Sequence, residues 1–259
     1  MKKLLDVVVT ENVRLNNNYC LLKLTPTDKM LLPDIQPGQF VEVKVEHSPK
    51  TFLRRPISVN FVDKAANELW LLIQKVGDGT QKLCGLRQAD VINLLLPLGN
   101  TFSSPQSPAD NILLIGGGVG AAPMLYWGAT LKAKGYAPRF LLGARSKSDL
   151  LQLDEFAKYG ELHCTTEDGS FGEKGYVTGH SILRTTVFNA IYACGPKPMM
   201  QAVARYAHER GIFCEVSLEN TMACGFGVCL CCVENTRNGN VCVCTEGHVF
   251  NINDLKWID

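Results

Sequence analysis

The feature that most constrains this chain is a cysteine-rich segment near its C-terminus. Six of the eleven cysteines lie between residues 224 and 244, and the first part of the segment has the spacing C-x4-C-x2-C. A further cysteine follows a polar turn at 236–240. Plant-type ferredoxins hold a 2Fe–2S cluster with this spacing. Four thiolates must converge on a small cluster, and Gly225 and Gly227 permit the tight backbone wrapping that this requires. We therefore predict four cluster ligands: Cys224, Cys229, Cys232 and Cys244.

Other uses of these cysteines fit the spacing less well. A zinc ribbon pairs one C-x2-C with a second, whereas the second half here supplies only C-x-C. A disulfide framework suits a small secreted chain, unlike this one of 259 residues. Buried structural thiols are the remaining alternative. We interpret Cys231 and Cys242 as non-ligands. The cysteines at 20, 84, 164 and 214 are expected to be small buried hydrophobic residues.

Composition places the chain among globular proteins of two or three compact units. Its hydrophobic content is 46%, and 26 basic residues face 25 acidic ones, so nothing favours nucleic acid or an anionic membrane as a partner. The N-terminus does not resemble a secretory signal, and no run is a clean membrane span. A cytoplasmic location is therefore expected. We predict three domains: residues 1–104, 105–213 and 214–259.

The first hundred residues show short β-type runs separated by Gly, Pro and Asn, which predict an antiparallel barrel. Two motifs lie in it. In Arg55-Pro56-Ile57-Ser58, the arginine offers planar donors that match a phosphate, and the serine adds a hydroxyl. In Gly77-Asp-Gly79-Thr80, exposed backbone N–H groups can meet an anion. Each motif alone is weak, but their order within one barrel makes them informative together.

Residues 108 to about 213 have a different pattern, in which strands alternate with helices. A buried strand runs into Gly116-Gly-Gly-Val-Gly120 and then a helix, an arrangement that cradles a diphosphate. Later strands end at Arg145, Asp168 and Cys194. This pattern predicts an open parallel α/β sheet with its ligand at the carboxyl ends of the strands.

Taken together, these motifs resemble the ferredoxin–NAD(P) reductase superfamily. They are R-P-x-S and G-x-G-T in a barrel, a G-G-G-x-G turn, and C-G-P-x-x-M in a nucleotide domain. The appended segment opens E-x-x-M-A-C-G-x-G-x-C-x-x-C. In this it is similar to the electron-transfer subunits of NAD-dependent (class 1B) dihydroorotate dehydrogenases. The resemblance covers essentially the whole chain. The expected fold is multidomain β and α/β: an antiparallel β-barrel FAD domain, a Rossmann-like parallel α/β nucleotide domain and a small 2Fe–2S domain.

The resemblance also implies roles for individual residues. FAD would be held by Arg55, Pro56, Ile57 and Ser58, lined by Leu72, Ile73 and Gln74, and bound at its diphosphate by Gly79 and Thr80. NAD would be bound by Gly117, Gly118, Gly120, Asp168, Cys194, Gly195 and Pro196. His248 stands where the family usually has proline, and the interval between Cys232 and Cys244 is short. Both departures affect the surface expected to face a partner.

What the resemblance implies for function is an oxidoreductase subunit in pyrimidine biosynthesis. An FMN-containing partner would oxidise dihydroorotate, and electrons would pass through the 2Fe–2S cluster and FAD to NAD+, in a heterotetramer of two copies of each subunit. No catalytic proton-transfer residue is expected in this chain. NAD is preferred over NADP, because the Asp168 carboxylate would repel a 2′-phosphate, although Arg145 could bind one. Val249 and Phe250, beside Cys244, are expected to face the partner.

Two alternatives remain at this point. One is a FAD and 2Fe–2S diaphorase subunit of another complex, such as a sulfhydrogenase or an NADH-dependent ferredoxin:NADP oxidoreductase, which would share every motif. The other is a zinc-binding adaptor without enzymatic activity, on a degenerate reductase fold. Retention of both flavin motifs argues against degeneracy.

Overall fold

The computed structural model describes residues 2–46, 48–107 and 109–258. It contains a closed six-stranded barrel, a seven-stranded sheet flanked by helices, and a two-stranded hairpin near the C-terminus. The predicted fold class, an antiparallel barrel followed by a parallel α/β domain and a small cysteine-rich unit, is confirmed. None of the described helices is long and apolar enough to cross a membrane.

The barrel is antiparallel throughout, with strand order β1-β2-β5-β4-β3-β6. Its strands are β1 (Lys3–Arg14), β2 (Tyr19–Pro26), β3 (Phe40–Val43), β4 (Arg55–Asp63), β5 (Glu68–Gln74) and β6 (Val91–Leu98). Alternate Val, Leu and Ile side chains point inward and fill the barrel. Because β4 and β5 are antiparallel neighbours, the start of β4 and the end of β5 lie at the same rim of the barrel.

A short helix, α1 (Asp78–Cys84), follows β5, where the sequence indicated only a glycine-rich turn. The Thr80 hydroxyl accepts hydrogen bonds from the N–H groups of Val76 and Gly77, which closes the first turn. Cys20 on β2 and Cys84 at the end of α1 form a disulfide. The expectation that these two cysteines are separate hydrophobic residues was therefore wrong.

The second sheet has the strand order β10-β9-β8-β7-β11-β12-β15. It comprises β7 (Ile112–Gly117), β8 (Arg139–Ala144), β9 (Glu161–Thr166), β10 (Glu173–Lys174), β11 (Ala190–Cys194), β12 (Phe213–Ser217) and β15 (Val249–Asn251). The first six run parallel, and β15 returns antiparallel to β12. The carboxyl ends of the parallel strands therefore meet at one edge.

Helices α2 (Ala122–Ala133), α3 (Leu153–Ala157), α4 (Ile182–Thr185) and α5 (Lys197–Glu209) connect these strands. Helix α3 is short and begins only at Leu153. Gln152 adopts a left-handed backbone with φ 56°, so the chain cannot be helical through this residue. The side-chain amides of Gln152 and Asn60 on β4 each donate a hydrogen bond to the other, which ties this bend to the barrel.

The barrel and the sheet meet along α2 and β4, where the Tyr126 hydroxyl donates a 2.9 Å hydrogen bond to the Ile35 carbonyl. Beyond β12, the chain forms the cysteine-rich loop, the hairpin β13 (Val233–Thr236) and β14 (Gly239–Cys242), and a turn of helix α6 (Val243–Glu246). It then enters the sheet as β15. The C-terminal segment is thus anchored in the same sheet that carries the nucleotide motifs.

Candidate functional site

Two cavities lie side by side where the barrel meets the sheet. The larger, of about 770 Å³, is at the carboxyl ends of the parallel strands. The smaller, of about 370 Å³, is at the barrel rim. Gln74, Val119 and Glu219 line both cavities, so ligands held in the two would be in contact.

The smaller cavity brings together the residues of both barrel motifs. Its lining includes Arg55, Pro56, Ile57, Ser58, Leu72, Gln74 and Thr80. Gly79 lies behind this wall, because a Cβ there would be 2.8 Å from Nε of Arg55. Ile73 does not line the cavity: its side chain is fully buried in the barrel core. The arginine, serine and glutamine groups suit an elongated, partly aromatic ligand that carries phosphates.

The larger cavity collects the glycine-rich elements of the sheet. Its lining includes Gly117, Gly118, Gly120, Gly195 and Pro196. The loops that carry them touch, because a Cβ on Gly120 would lie 2.5 Å from the backbone nitrogen of Gly195. Cys194 is buried behind them, and burial holds the pKa of its thiol well above the usual value.

Asp168, expected to bind a ribose, does not line the larger cavity. Its carboxylate accepts hydrogen bonds from the backbone N–H and the hydroxyl of Ser170. The neighbouring Glu167 lines the cavity instead, with Arg145 and Asp149. Both carboxylates follow the same strand, and the turn after β9 places Glu167, rather than Asp168, at the cavity wall. The assignment of Asp168 to NAD stays a prediction.

Gly120→Ala tests the close contact between the two glycine-rich loops. The added methyl would overlap backbone atoms of both Cys194 and Gly195, which cannot move as a side chain can. We expect the free energy of unfolding to fall by about 1–3 kcal/mol and nucleotide affinity to fall with it. Gly135→Ala is the matched control, because a Cβ there has open space and only its φ of 88° is strained. Scanning calorimetry measures the stability of both variants, and titration calorimetry measures their affinity for NADH. Equal losses of stability and affinity in the two variants would contradict the loop-contact explanation.

Glu219 is the main residue that the sequence reasoning did not assign. It opens the E-x-x-M-A-C-G motif and lines both cavities. Its position at the start of the motif was the feature of the sequence that could have identified it. Only the fold shows that this position lies between the cavities.

In the cysteine-rich loop, backbone N–H groups are directed at three of the four predicted ligand sulfurs. The N–H of Cys244 donates to the Cys232 sulfur at 3.4 Å. The N–H of Phe226 donates to the Cys224 sulfur and that of Gly227 to the Cys244 sulfur. Backbone donors, first that of Cys229, lower the pKa of Cys224 to about 6. Cysteine sulfurs that accept backbone N–H hydrogen bonds fit the ligands of an iron–sulfur cluster.

Two further observations concern metal binding by this loop. Among the residues that the structure describes, no group of three His, Cys, Asp or Glu side chains gathers around a point that could hold one metal ion. Of the two extra cysteines, Cys231 is exposed, and the Cys242 sulfur lies 3.7 Å from the Gly227 carbonyl oxygen. Their assignment as non-ligands stays a prediction.

Below the loop lies Glu42, a carboxyl buried in the barrel wall. Neither of its oxygens has a hydrogen-bond partner in the described structure. Burial raises its pKa to about 7, against the opposing effect of Arg54. A Cβ on Gly225 would touch its side chain at 3.3 Å, so the glycine lets the loop sit directly on the barrel.

The expectation that Val249 and Phe250 face a partner was wrong. They are 4% and 8% exposed, because β15 adds them to the edge of the sheet. His248 is also buried; its ring meets Phe40 edge-on and lines the smaller cavity. Near the predicted cluster ligands, the exposed apolar residues include three on the cysteine-rich loop itself: Phe226, Val228 and Leu230.

Comparisons with known proteins agree with this division of the site. Residues 219–256 match the model of the iron-sulfur cluster binding domain of dihydroorotate dehydrogenase B. Residues 114–205 match that of the oxidoreductase NAD-binding domain. The first match contains all four predicted ligands and Glu219, and the second contains the glycine-rich loops.

Similarity extends over nearly the whole chain. The electron transfer subunit of dihydroorotate dehydrogenase B (NAD(+)) from Geobacillus kaustophilus is 36% identical, covering 90% of this chain and 91% of the relative. That from Fusobacterium nucleatum is 32% identical, covering 98% and 99%. A solved structure of the NADH-dependent reduced ferredoxin-NADP oxidoreductase superposes with a TM-score of 0.86 at 28% identity, over 97% of this chain and 90% of that one.

A second solved structure, the ferredoxin reductase of carbazole 1,9a-dioxygenase, shares the fold with a TM-score of 0.69 at 19% identity, over 82% of this chain and 67% of that one. The fold, the matched domains and the relatives make this chain an oxidoreductase subunit whose cofactors are FAD, a 2Fe–2S cluster and NAD. The chain belongs to the family of electron transfer subunits of dihydroorotate dehydrogenase B (NAD(+)).

Proposed function

We propose that this subunit carries electrons from an FMN-containing, dihydroorotate-oxidising partner to NAD+. The observation that supports this most is the path of one short segment, from Glu219 to Cys224. Glu219 lines both cavities, Asn220, Thr221 and Met222 line the smaller one, and Cys224 begins the cluster loop. Two residues of extended chain span at most roughly 7 Å. One short segment therefore joins the three proposed sites, which supports electron transfer between the groups that they would hold.

Bound FAD would supply the interconversion of single-electron and two-electron chemistry that links a cluster to NAD. The chain's own residues bind and orient the participants. In this proposal, Arg55, Ser58 and Gln74 hold the flavin at the barrel rim, and the glycine-rich loops hold the nucleotide against it. The apolar side chains of Leu72, Met222 and Leu218 exclude water between them.

The partner is proposed to dock on the cluster loop. Phe226, Val228 and Leu230 are 53%, 79% and 64% exposed on a single short loop, beside sulfurs that accept backbone hydrogen bonds. Adjacent exposed apolar side chains of this kind are typical of protein–protein contacts. A partner that covered them would bring its own redox group near Cys224 and Cys229.

Three finer points belong to the same proposal. We propose a heterotetramer of two copies of each subunit and a cytoplasmic location. NAD is expected to be preferred over NADP, since Asp149 and Glu167 line the larger cavity and would repel a 2′-phosphate, against the single cation Arg145 among its described lining residues.

The second candidate is a diaphorase subunit of another complex. The superposition on the NADH-dependent reduced ferredoxin-NADP oxidoreductase favours it, with a TM-score of 0.86. The curated relatives at 32–39% identity favour the dihydroorotate partner. The two proposals differ only in the redox protein that meets the cluster loop.

A visible spectrum of the anaerobically purified protein, co-expressed with its candidate FMN subunit, tests the proposal. Addition of dihydroorotate is expected to bleach both the flavin and the iron-sulfur bands. If NADH bleaches these bands but dihydroorotate does not, the subunit would belong to another complex. A colourless protein containing zinc would overturn the redox function.

A further inference from the structure

The barrel contributes one polar group to the larger cavity at the carboxyl ends of the sheet strands. Tyr19, the first residue of β2, lines this cavity although the glycine-rich loops belong to the other domain. The residue is 5% exposed, and its ring packs with Leu21, Leu72, Ala122 and Leu151. Its orientation is therefore fixed by packing on both domains.

The Tyr19 hydroxyl faces the glycine-rich loop across a gap. A Cβ on Gly118, whose φ is 55°, would lie 3.9 Å from this hydroxyl, so the absent side chain leaves the space between them open. Within the described residues, the hydroxyl makes no hydrogen bond. Burial, followed by Asp149, raises the pKa of Tyr19, so the phenol keeps its proton as a donor at neutral pH.

The charges around the cavity explain why such a donor is needed. Among its described lining residues, Arg145 is the single cation, whereas Asp149, Glu167 and Glu219 are acidic. A dianionic diphosphate cannot be held there by side-chain charge alone. Neutral donors, which are backbone N–H groups and hydroxyls, must provide much of its stabilisation.

We propose that Tyr19 binds the diphosphate of NAD by donating a hydrogen bond across Gly118, so that the nucleotide site is complete only when the barrel is docked on the sheet. This inference rests on the proposed placement of NAD in the larger cavity. Asn16 holds the tyrosine in place. Its side-chain oxygen accepts from the Tyr19 N–H, and its nitrogen donates a 2.7 Å hydrogen bond to the Ser148 carbonyl of the other domain.

Tyr19→Phe in the full chain with its cluster and FAD tests the proposal. The change removes one oxygen and leaves the ring packing. Loss of a hydrogen bond to a charged group is expected to weaken binding of NADH and of ADP-ribose by about tenfold each, measured by calorimetry. FAD content and the unfolding midpoint are expected to stay unchanged, because the hydroxyl has no partner in the protein.

Tyr126→Phe is the matched control. Tyr126 is similarly buried, 7% exposed against 5% for Tyr19, but its hydroxyl donates a hydrogen bond to the Ile35 carbonyl. This variant is expected to have a lower unfolding midpoint and unchanged NADH affinity, the reverse of the pattern for Tyr19. The double variant Asn16→Ala, Tyr19→Phe is expected to bind NADH no more weakly than Tyr19→Phe alone, since Asn16 acts through the tyrosine.

Several outcomes would overturn the assignment. Unchanged NADH affinity in Tyr19→Phe would do so, as would a loss seen with NADH but not with ADP-ribose, which would place the hydroxyl at the nicotinamide. An equal loss of NADH affinity in Tyr126→Phe would mean that the effect comes from domain packing and not from a hydrogen bond to the nucleotide. A wild-type chain that binds no NADH at all would instead refute the proposed nucleotide site.

Discussion

Replacing Cys244 with serine is expected to abolish the visible absorption of the 2Fe–2S cluster while leaving bound FAD in place. Cys244 is buried and its sulfur accepts a hydrogen bond from the Gly227 N–H at 3.2 Å. Its own N–H donates to the Cys232 sulfur. Serine offers a harder and far less acidic oxygen, which is a poor ligand for iron in such a cluster. Loss of a group that only supports a metal site costs roughly 10–100-fold, so loss of a ligand should reduce electron transfer from the partner by more than about 100-fold.

Cys231→Ser is the matched control for this loss. Cys231 lies within the same loop but is exposed, so its replacement is expected to leave the cluster absorption and the electron transfer unchanged. The measurement is the visible spectrum, together with iron content per chain. A cluster lost in Cys231→Ser, or retained in Cys244→Ser, would contradict the assigned ligand set.

Phe250→Asp is expected to destabilise the folded chain strongly, whereas Phe226→Asp is expected to weaken only the partner contact. Phe250 lies on β15, opposite Val216, and its ring fills the space beside Gly247, where a Cβ would be 2.2 Å away. Truncating such a phenylalanine costs about 3–5 kcal/mol, and a buried carboxylate adds to this. Phe226 is exposed, and surface changes of this kind stay within about 0.5 kcal/mol.

The comparison needs two measurements on each variant. Chemical denaturation gives the free energy of unfolding, and sedimentation with the FMN subunit gives the association. Phe226→Asp should keep NADH oxidation by an artificial acceptor while losing the partner. Full stability in Phe250→Asp would contradict the burial of β15, and unchanged association in Phe226→Asp would remove the cluster loop from the interface.

Local chemistry made several parts of this protein predictable from its sequence. Ligand spacing is such a property, because C-x4-C-x2-C places thiolates by chain geometry alone. The four ligands assigned from it stay a prediction, and backbone N–H groups are directed at the sulfurs of Cys224 and Cys244. The G-G-G-x-G turn after a buried strand was equally local. Alternating strands in the first hundred residues and the βα pattern after them were sufficient for the fold class.

Contacts between segments that are distant in sequence could not be predicted from local patterns. Asp168 and Glu167 are adjacent in sequence, and only the turn that bonds Asp168 to Ser170 decides which of them reaches the cavity. Ile73 follows Leu72, yet the alternation of a strand buries one in the barrel and leaves the other at the rim. The Cys20–Cys84 bond joins residues 64 apart.

The sequence by itself therefore determined the cofactor set and the fold class, because both depend on residue types at short spacing. Only the tertiary structure decided that β15 buries Phe250, that Glu219 lies between two cavities, and that Tyr19 reaches the nucleotide loop from the barrel. The physical reason is packing. Which side chain faces a neighbour depends on how strands far apart in sequence are brought together, and no local spacing encodes this.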